Sequence, residues 1–353
     1  MACNNGPILR LEERQMKARR RIVGMLVVGL ILVALAPTTF AIEALHYRLV
    51  GEVNGKWSVQ MNLVVDGAQV SGEYWYDAYG IPLVLDGVNR GGSLIVKERT
   101  ADGKVSGEWA FDFNPFVTEW KGTWTSADRT RRYPFSLRLL ADMVQTQEVR
   151  RGFIRVWLER PLFAEAKSNR SMAVVQEIVD SQLWSSVDED FTFFPEMYPD
   201  YCRAGMYWEH VDHVTIRYAS NSIISMMHET YGYAGGAHGM TWYTPINLRL
   251  SSSGASGFGL DDVFLKGSGW EKKVSELIIA DLKKQKAGWI TRGEVTEVGV
   301  DLLDRFTVSP AGIDFYFGPY EMGCYAEGSY VSFLPWSALK GFVDTSGPAG
   351  FLK

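Results

Sequence analysis

The chain of 353 residues is 46% hydrophobic and 22% charged, ordinary usage for a packed protein, which excludes wholesale disorder. At about 150 residues per domain the length accommodates two domains and a targeting segment. With 36 basic against 41 acidic residues, nucleic-acid binding through bulk charge is excluded as well.

Residues 1–41 carry the first organised signal. Lys17, Arg19, Arg20 and Arg21 precede an apolar run from Ile22 to Ala36, and Pro37-Thr38-Thr39-Phe40-Ala41 follows. The run is shorter than the roughly 20 residues that cross a bilayer core, and Thr39 and Ala41 are small residues at the positions a signal peptidase reads. The segment therefore reads as a signal peptide, with an uncleaved membrane anchor as the alternative. Either way the basic flank stays cytoplasmic and the rest is exported to the periplasm or cell envelope. Six basic and two acidic residues lie within 1–41, leaving 30 against 39 beyond it, a net charge of −9. Of three cysteines, Cys202 and Cys324 are exported, and an even pair in an oxidising compartment predicts one disulfide between them.

Residues 45–142 read as an all-β domain, an antiparallel meander or barrel. Short alternating segments, Trp57 to Val65, Val70 to Tyr76, Ser93 to Glu98 and Val105 to Phe111, are broken by glycine or Asp-Gly. A repeat runs through them: Val70-Ser71-Gly72-Glu73-Tyr74 returns as Val105-Ser106-Gly107-Glu108-Trp109 and is echoed by Trp120-Lys121-Gly122-Thr123-Trp124. A glycine within a strand marks a bulge or a close backbone approach. Tyr74, Tyr76, Trp109, Trp120 and Trp124 read first as core, with a sugar-binding or peptide-binding face as the alternative.

Residues 150–353 read as α+β, with helices packed on an antiparallel sheet. A strand from Phe153 to Glu159 ends at Pro161, and a helix over Ala164 to Leu183 places Met172, Val175, Ile178 and Leu183 near helical spacing. Tyr207 to Tyr218 and Ser222 to Tyr233 form a hairpin about Ala219-Ser220-Asn221. A second helix spans Trp270 to Lys284 behind the capping segment Lys266-Gly267-Ser268-Gly269. Short strands follow at Phe306 to Val308, Ile313 to Phe317 and Tyr330 to Phe333, and a closing helix at Trp336 to Phe342.

Chemistry-bearing motifs are sparse. Nucleophile-elbow, phosphate-loop, dinucleotide and His-Glu-x-x-His patterns are absent from the sequence, and no cofactor or metal is expected. His210 and His213 lie three apart, so on a strand they point to opposite faces, whereas Asp212 and His228 are candidates for a pair across the hairpin. Asp261, Asp262, Glu321 and Glu327 are among the acids a hydrolase would have to bring together. In Tyr231-Gly232-Tyr233-Ala234-Gly235-Gly236-Ala237-His238-Gly239 the glycine pair permits a tight reversal. That reversal holds His238 beyond a strand end, donating to a backbone carbonyl or meeting a partner.

This string, followed by Asn247, Leu260-Asp261-Asp262-Val263-Phe264, Phe315-Tyr316-Phe317-Gly318-Pro319-Tyr320-Glu321, Tyr325-Ala326-Glu327-Gly328 and Phe333-Leu334-Pro335, resembles the RsiV-type extracytoplasmic domain. That domain occurs in a lysozyme-sensing anti-sigma factor and beside a peptidoglycan deacetylase. The resemblance implies an α+β domain outside the membrane that binds lysozyme or a cell-wall glycan without catalysing a reaction. Tyr233, His238, Tyr320, Glu321 and Tyr325 occupy its strings and are the candidate binding residues. Two features depart from the family: the leader is short for a sigma-factor-binding segment, and Cys324 sits where proline is frequent. The expectation is a non-catalytic exported envelope binding protein. The alternatives are an envelope polysaccharide or peptidoglycan hydrolase and a membrane-tethered sensor.

Overall fold

Alternation of inward apolar and outward polar residues drives the first third of the chain into eight antiparallel strands: β1 (Leu45–Val53), β2 (Trp57–Asp66), β3 (Gln69–Tyr76), β4 (Leu83–Arg90), β5 (Ser93–Arg99), β6 (Val105–Asp112), β7 (Glu119–Ser126) and β8 (Arg132–Arg150). They pair in sequence order, and β1 returns to β8 in register from Tyr47↔Asp142 to Val53↔Phe135, closing a barrel. This computed structural model describes residues 44–150, 154–197 and 207–352, with the side chains of 186–197 and 351–352 excepted. The expected signal or anchor segment and Cys202 lie outside the described residues.

The barrel is filled by its own side chains. Tyr74, Trp109, Trp120 and Trp124 are all buried among Leu49, Met61, Leu63, Leu94 and Leu137, so four of the five repeat aromatics are core. The repeated glycines mark close approaches. A Cβ on Gly72 would lie 2.1 Å from the Asn62 carbonyl oxygen, and one on Gly107 would lie 2.6 Å from the Trp124 ring nitrogen. Glu98 is buried in the same interior. It accepts from Tyr74 Oη at 2.5 Å, Trp124 Nε1 at 2.7 Å and Ser106 Oγ at 2.7 Å.

At 19 residues β8 outruns the barrel, and its second half starts another layer. It pairs antiparallel with β9 (Ile154–Phe163), which pairs in parallel with β10 (Trp208–Ala219); β11 (Ile223–Tyr233), β12 (Met240–Ser251) and β13 (Gly254–Gly257) complete one continuous 13-stranded sheet. The parallel pair corrects the purely antiparallel sheet expected from sequence, because helix α1 (Arg170–Met197) crosses over between β9 and β10. Pro161 does not end β9. β10 pairs only as far as Glu159, so the missing proline N–H faces no ladder, and Gln176 of α1 donates to Pro161 O at 3.1 Å and accepts from Phe163 N at 2.9 Å.

Asn169 caps α1, accepting from Ser171 N at 3.0 Å. Met172, Val175, Val179 and Leu183 then bury one stripe against Val214, Ile216, Met226 and Ile246, and Ile178 is only partly covered.

The C-terminal region adds α2 (Leu260–Val263), α3 (Trp270–Lys284), α4 (Gly288–Thr291), α5 (Val300–Leu303) and a three-stranded sheet of β14 (Phe306–Ser309), β15 (Gly312–Phe317) and β16 (Tyr330–Pro335). Its core joins Val274, Ile278 and Leu282 of α3 to Phe306, Phe315, Phe317 and Leu334. The N-cap of α3 falls within the expected capping segment: it is Gly269, in a left-handed conformation and with no side-chain cap. The closing helix is a single 3₁₀ turn, Trp336–Leu339.

Two polar side chains fasten the small sheet to the large one. Ser225 Oγ accepts from Val308 N at 2.8 Å and donates to Asn247 Oδ1 at 2.6 Å, while Asn247 Nδ2 donates to Phe306 O at 2.9 Å. On the barrel side, buried Arg48 lies over the Trp75 ring at 4.7 Å and donates to Gln60 Oε1 at 2.6 Å. Gln60 in turn donates to Ala219 O at 3.0 Å, tying β2 to the end of β10.

Candidate functional site

The turn joining β11 to β12 and the loop joining β15 to β16 meet at one surface. Gly235 and Gly236 have φ of 94° and 92°, the left-handed conformation expected of that pair, and they reverse the chain so that His238 follows at the mouth of the turn. His238 Nδ1 lies 3.1 Å from Gly239 O. A carbonyl only accepts, so Nδ1 carries a proton, and in the neutral ring Nε2 accepts from Tyr320 Oη at 3.0 Å. Tyr325 stacks on the imidazole with ring centroids 3.6 Å apart and planes 15° apart; Tyr320 and Tyr325 are 5.7 Å apart. Three of the five candidate residues, His238, Tyr320 and Tyr325, thus form one half-exposed aromatic cluster.

The other two candidates hold loops. Tyr233 Oη donates to Gly236 O at 3.1 Å, bracing the glycine turn. Glu321 pairs with Arg305 at 2.7 Å and accepts from Gly318 N at 2.7 Å. Between those anchors Tyr320 takes φ of 67°, rare for a bulky residue, with 45% of its surface exposed.

The sequence places Glu327 in the Tyr325-Ala326-Glu327-Gly328 string and among the acids, without a role of its own. Its carboxylate accepts from Gly288 N at 2.7 Å, Cys324 N at 3.2 Å, Cys324 Sγ at 3.3 Å and Tyr330 Oη at 2.6 Å. Burial alone would raise the Glu327 pKa, but these donors outweigh it and hold the carboxyl below its usual range. The Cys-x-x-Glu spacing is a capping box with cysteine in the place of serine, a signal visible in the sequence only to a reader who allows that exchange. No disulfide is seen among the described residues, which do not include Cys202.

A second polar cluster lies beneath α1. Asp212 Oδ2 is 2.7 Å from His210 Nε2, and Asp212 Oδ1 is 2.7 Å from both His228 Nε2 and Thr230 Oγ1. Gln182 of α1 reaches His228 Nδ1 at 3.3 Å. Burial would raise the Asp212 pKa, but hydrogen bonds from the two imidazoles outweigh it and hold the carboxyl far below the ordinary range. The pair across the hairpin therefore forms. His213 faces the other way and meets Glu159 at 3.3 Å; burial opposes that carboxylate too, yet the bond and charge of His213 hold it at about 2. Among the described residues no group of three or more His, Cys, Asp or Glu side chains is arranged to hold a metal ion.

Of the acids weighed for hydrolysis, Asp262 pairs with Arg249 at 2.6 Å and accepts from Gly259 N, while Glu321 and Glu327 hold backbone as described. Each is committed to a separate local structure. Among the described residues no helix is long and apolar enough to cross a membrane.

Residues 261–337 match the profile of DUF3298, described as a protein of unknown function. Solved structures similar to this chain include two of the same description. A DUF3298 family member from Bacteroides fragilis is 17% identical, with 60% of this chain and 96% of that one covered and a TM-score of 0.40. A DUF3298 family protein from Pseudomonas aeruginosa PAO1 is 16% identical, with 57% and 93% covered and a TM-score of 0.44. No curated protein matches the chain.

Proposed function

We propose that the chain is a non-catalytic, exported cell-envelope binding protein that engages lysozyme or peptidoglycan through the His238–Tyr320–Tyr325 cluster. The observation that carries this reading is the construction of the cluster. Three rings from two separate loops are stacked and hydrogen-bonded at a half-exposed surface, and Tyr320 is held there in an unfavourable backbone conformation. Rigid aromatic groups with a polar tip suit the faces of sugar rings and the apolar patches of proteins, since little conformational freedom is lost on contact. A hydrolytic role fits less well, because Asp262, Glu321 and Glu327 each hold local backbone rather than converge. The RsiV-type strings that run through these loops support the choice of ligand, and the charge of −9 beyond residue 41 favours a basic protein through steering.

Calorimetric titration of the chain with a basic lysozyme and with soluble peptidoglycan fragments, each at two salt concentrations, tests the proposal. Saturable binding of one ligand that survives the higher salt and is lost in Tyr325→Ala is expected. Failure of both ligands to bind contradicts it.

A further inference from the structure

We infer that Glu327 is a positioning residue that holds Tyr325 against His238 and so keeps the binding surface formed before a ligand arrives; the inference rests on the reading of that cluster as a docking surface. Tyr325 opens the 3₁₀ turn Tyr325–Glu327, and the turn has no buried residue of its own to fix it. Its position is set from the far end. The Glu327 carboxylate gathers the backbone N–H that starts α4, the backbone and thiol of Cys324 immediately before Tyr325, and the Tyr330 hydroxyl at the start of β16. One side chain thereby joins the loop to a helix and to a strand that both belong to the C-terminal core.

The space around the carboxylate is cut to fit. A Cβ at Gly288 or at Gly323 would lie 2.4 Å from a Glu327 oxygen, so both neighbours are residues that leave room for it. Glu321 performs the corresponding task for Tyr320 through Gly318 and Arg305. The cluster is thus supported by two carboxylates whose hydrogen bonds go to the loops that carry its rings. Truncating Glu327 removes the acceptor that the Gly288 and Cys324 N–H groups share and loosens the turn, and the ordering cost then falls on the binding step.

The test uses the full chain with ¹³C-labelled histidine. The Tyr325 ring, 3.6 Å from the imidazole, shifts the His238 Cε1–H resonance upfield, and that resonance is assigned by its loss in His238→Gln. In Glu327→Ala the resonance is expected to move towards the position of an unstacked histidine and lysozyme or peptidoglycan affinity to fall about tenfold, with Glu327→Gln recovering part of both. Should Glu327→Ala fail to fold, Tyr330→Phe removes one donor and shifts the resonance the same way by less. An unmoved resonance in a folded Glu327→Ala chain overturns the inference, as does affinity that Tyr325→Ala abolishes and Glu327→Ala leaves intact. A chain that binds neither ligand, yet whose His238 resonance responds to Glu327→Ala, retains the positioning role and loses the docking reading it serves.

Discussion

At the scale of single residues, the cluster was legible where the sequence repeats a recognisable string and illegible where a side chain acts through a neighbour. His238, Tyr320, Tyr325 and Glu327 all stand in such strings, but what Glu327 does was hidden because it acts through Cys324, whose capping role is unusual for its residue type. Asp212 and His228 were candidates that the sequence could not place opposite one another: a register shift between Ile216 and Tyr218 sets Asp212 across from Thr230 and so brings His228 onto the same face. Asp77, between the barrel and β10, had no sequence signature at all. Burial pushes its carboxyl up to about 6, against the favourable influence of Gln60, Arg48 and Arg217. An acid whose native pKa exceeds its unfolded value of about 3.9 holds its proton more tightly when folded. The stability it gives is complete below about pH 4 and is lost as the pH rises through 6. Asp77→Asn is therefore expected to gain on the natural chain between pH 4 and 7, by about 2 kcal/mol at the upper end after allowance for solvent screening. Melting temperatures across that range check this, and a gap between the two chains that does not widen with pH would count against it.

At the scale of elements, periodicity served best where one face is plainly apolar. The helix expected over Trp270 to Lys284 is α3, residue for residue, because valine, isoleucine and leucine at helical spacing are separated by lysines and glutamates. Strand β12 had no counterpart in the sequence reading. Its run Met240-Thr241-Trp242-Tyr243-Thr244-Pro245 carries a proline, which normally argues against a strand, yet β13 pairs only from Leu248 onward and Pro245 sits on the part that has one neighbour. The closing helix shrank to one turn. The fastening of the two sheets belongs to this scale as well: Asn247 and Ser225 satisfy the Phe306 carbonyl and the Val308 N–H, groups on the β14 edge. Asn247→Ala leaves the Phe306 oxygen without this donor and Ser225 without its acceptor in a buried setting, with an expected loss of about 2 kcal/mol in urea unfolding. A loss within experimental error would mean that apolar packing alone joins the sheets.

At the scale of the whole molecule, the sequence carried the class of fold but not its closure. Alternation and the Gly-Glu-aromatic repeat announce an antiparallel barrel or meander. Nothing local states that β1 returns to β8, since that pairing joins residues far apart in the chain and depends on strand tilt and stagger rather than on composition. The length of β8 likewise has no local signature, although it makes the barrel and the strands beyond it one continuous sheet, and the bonds from Arg48 to Gln60 and from Gln60 to Ala219 tie the barrel to β10 directly. The aromatic cluster sits on the second sheet and the small sheet, while the barrel aromatics are consumed as core. Under the proposed function, recognition belongs to the C-terminal loops and architecture to the barrel. Hydrogen exchange of the full chain, alone and with saturating lysozyme or peptidoglycan fragments, tests that assignment most directly. New protection confined to residues 231–239 and 318–329 is the predicted result; protection centred on the barrel loops, or none with either ligand, would contradict it.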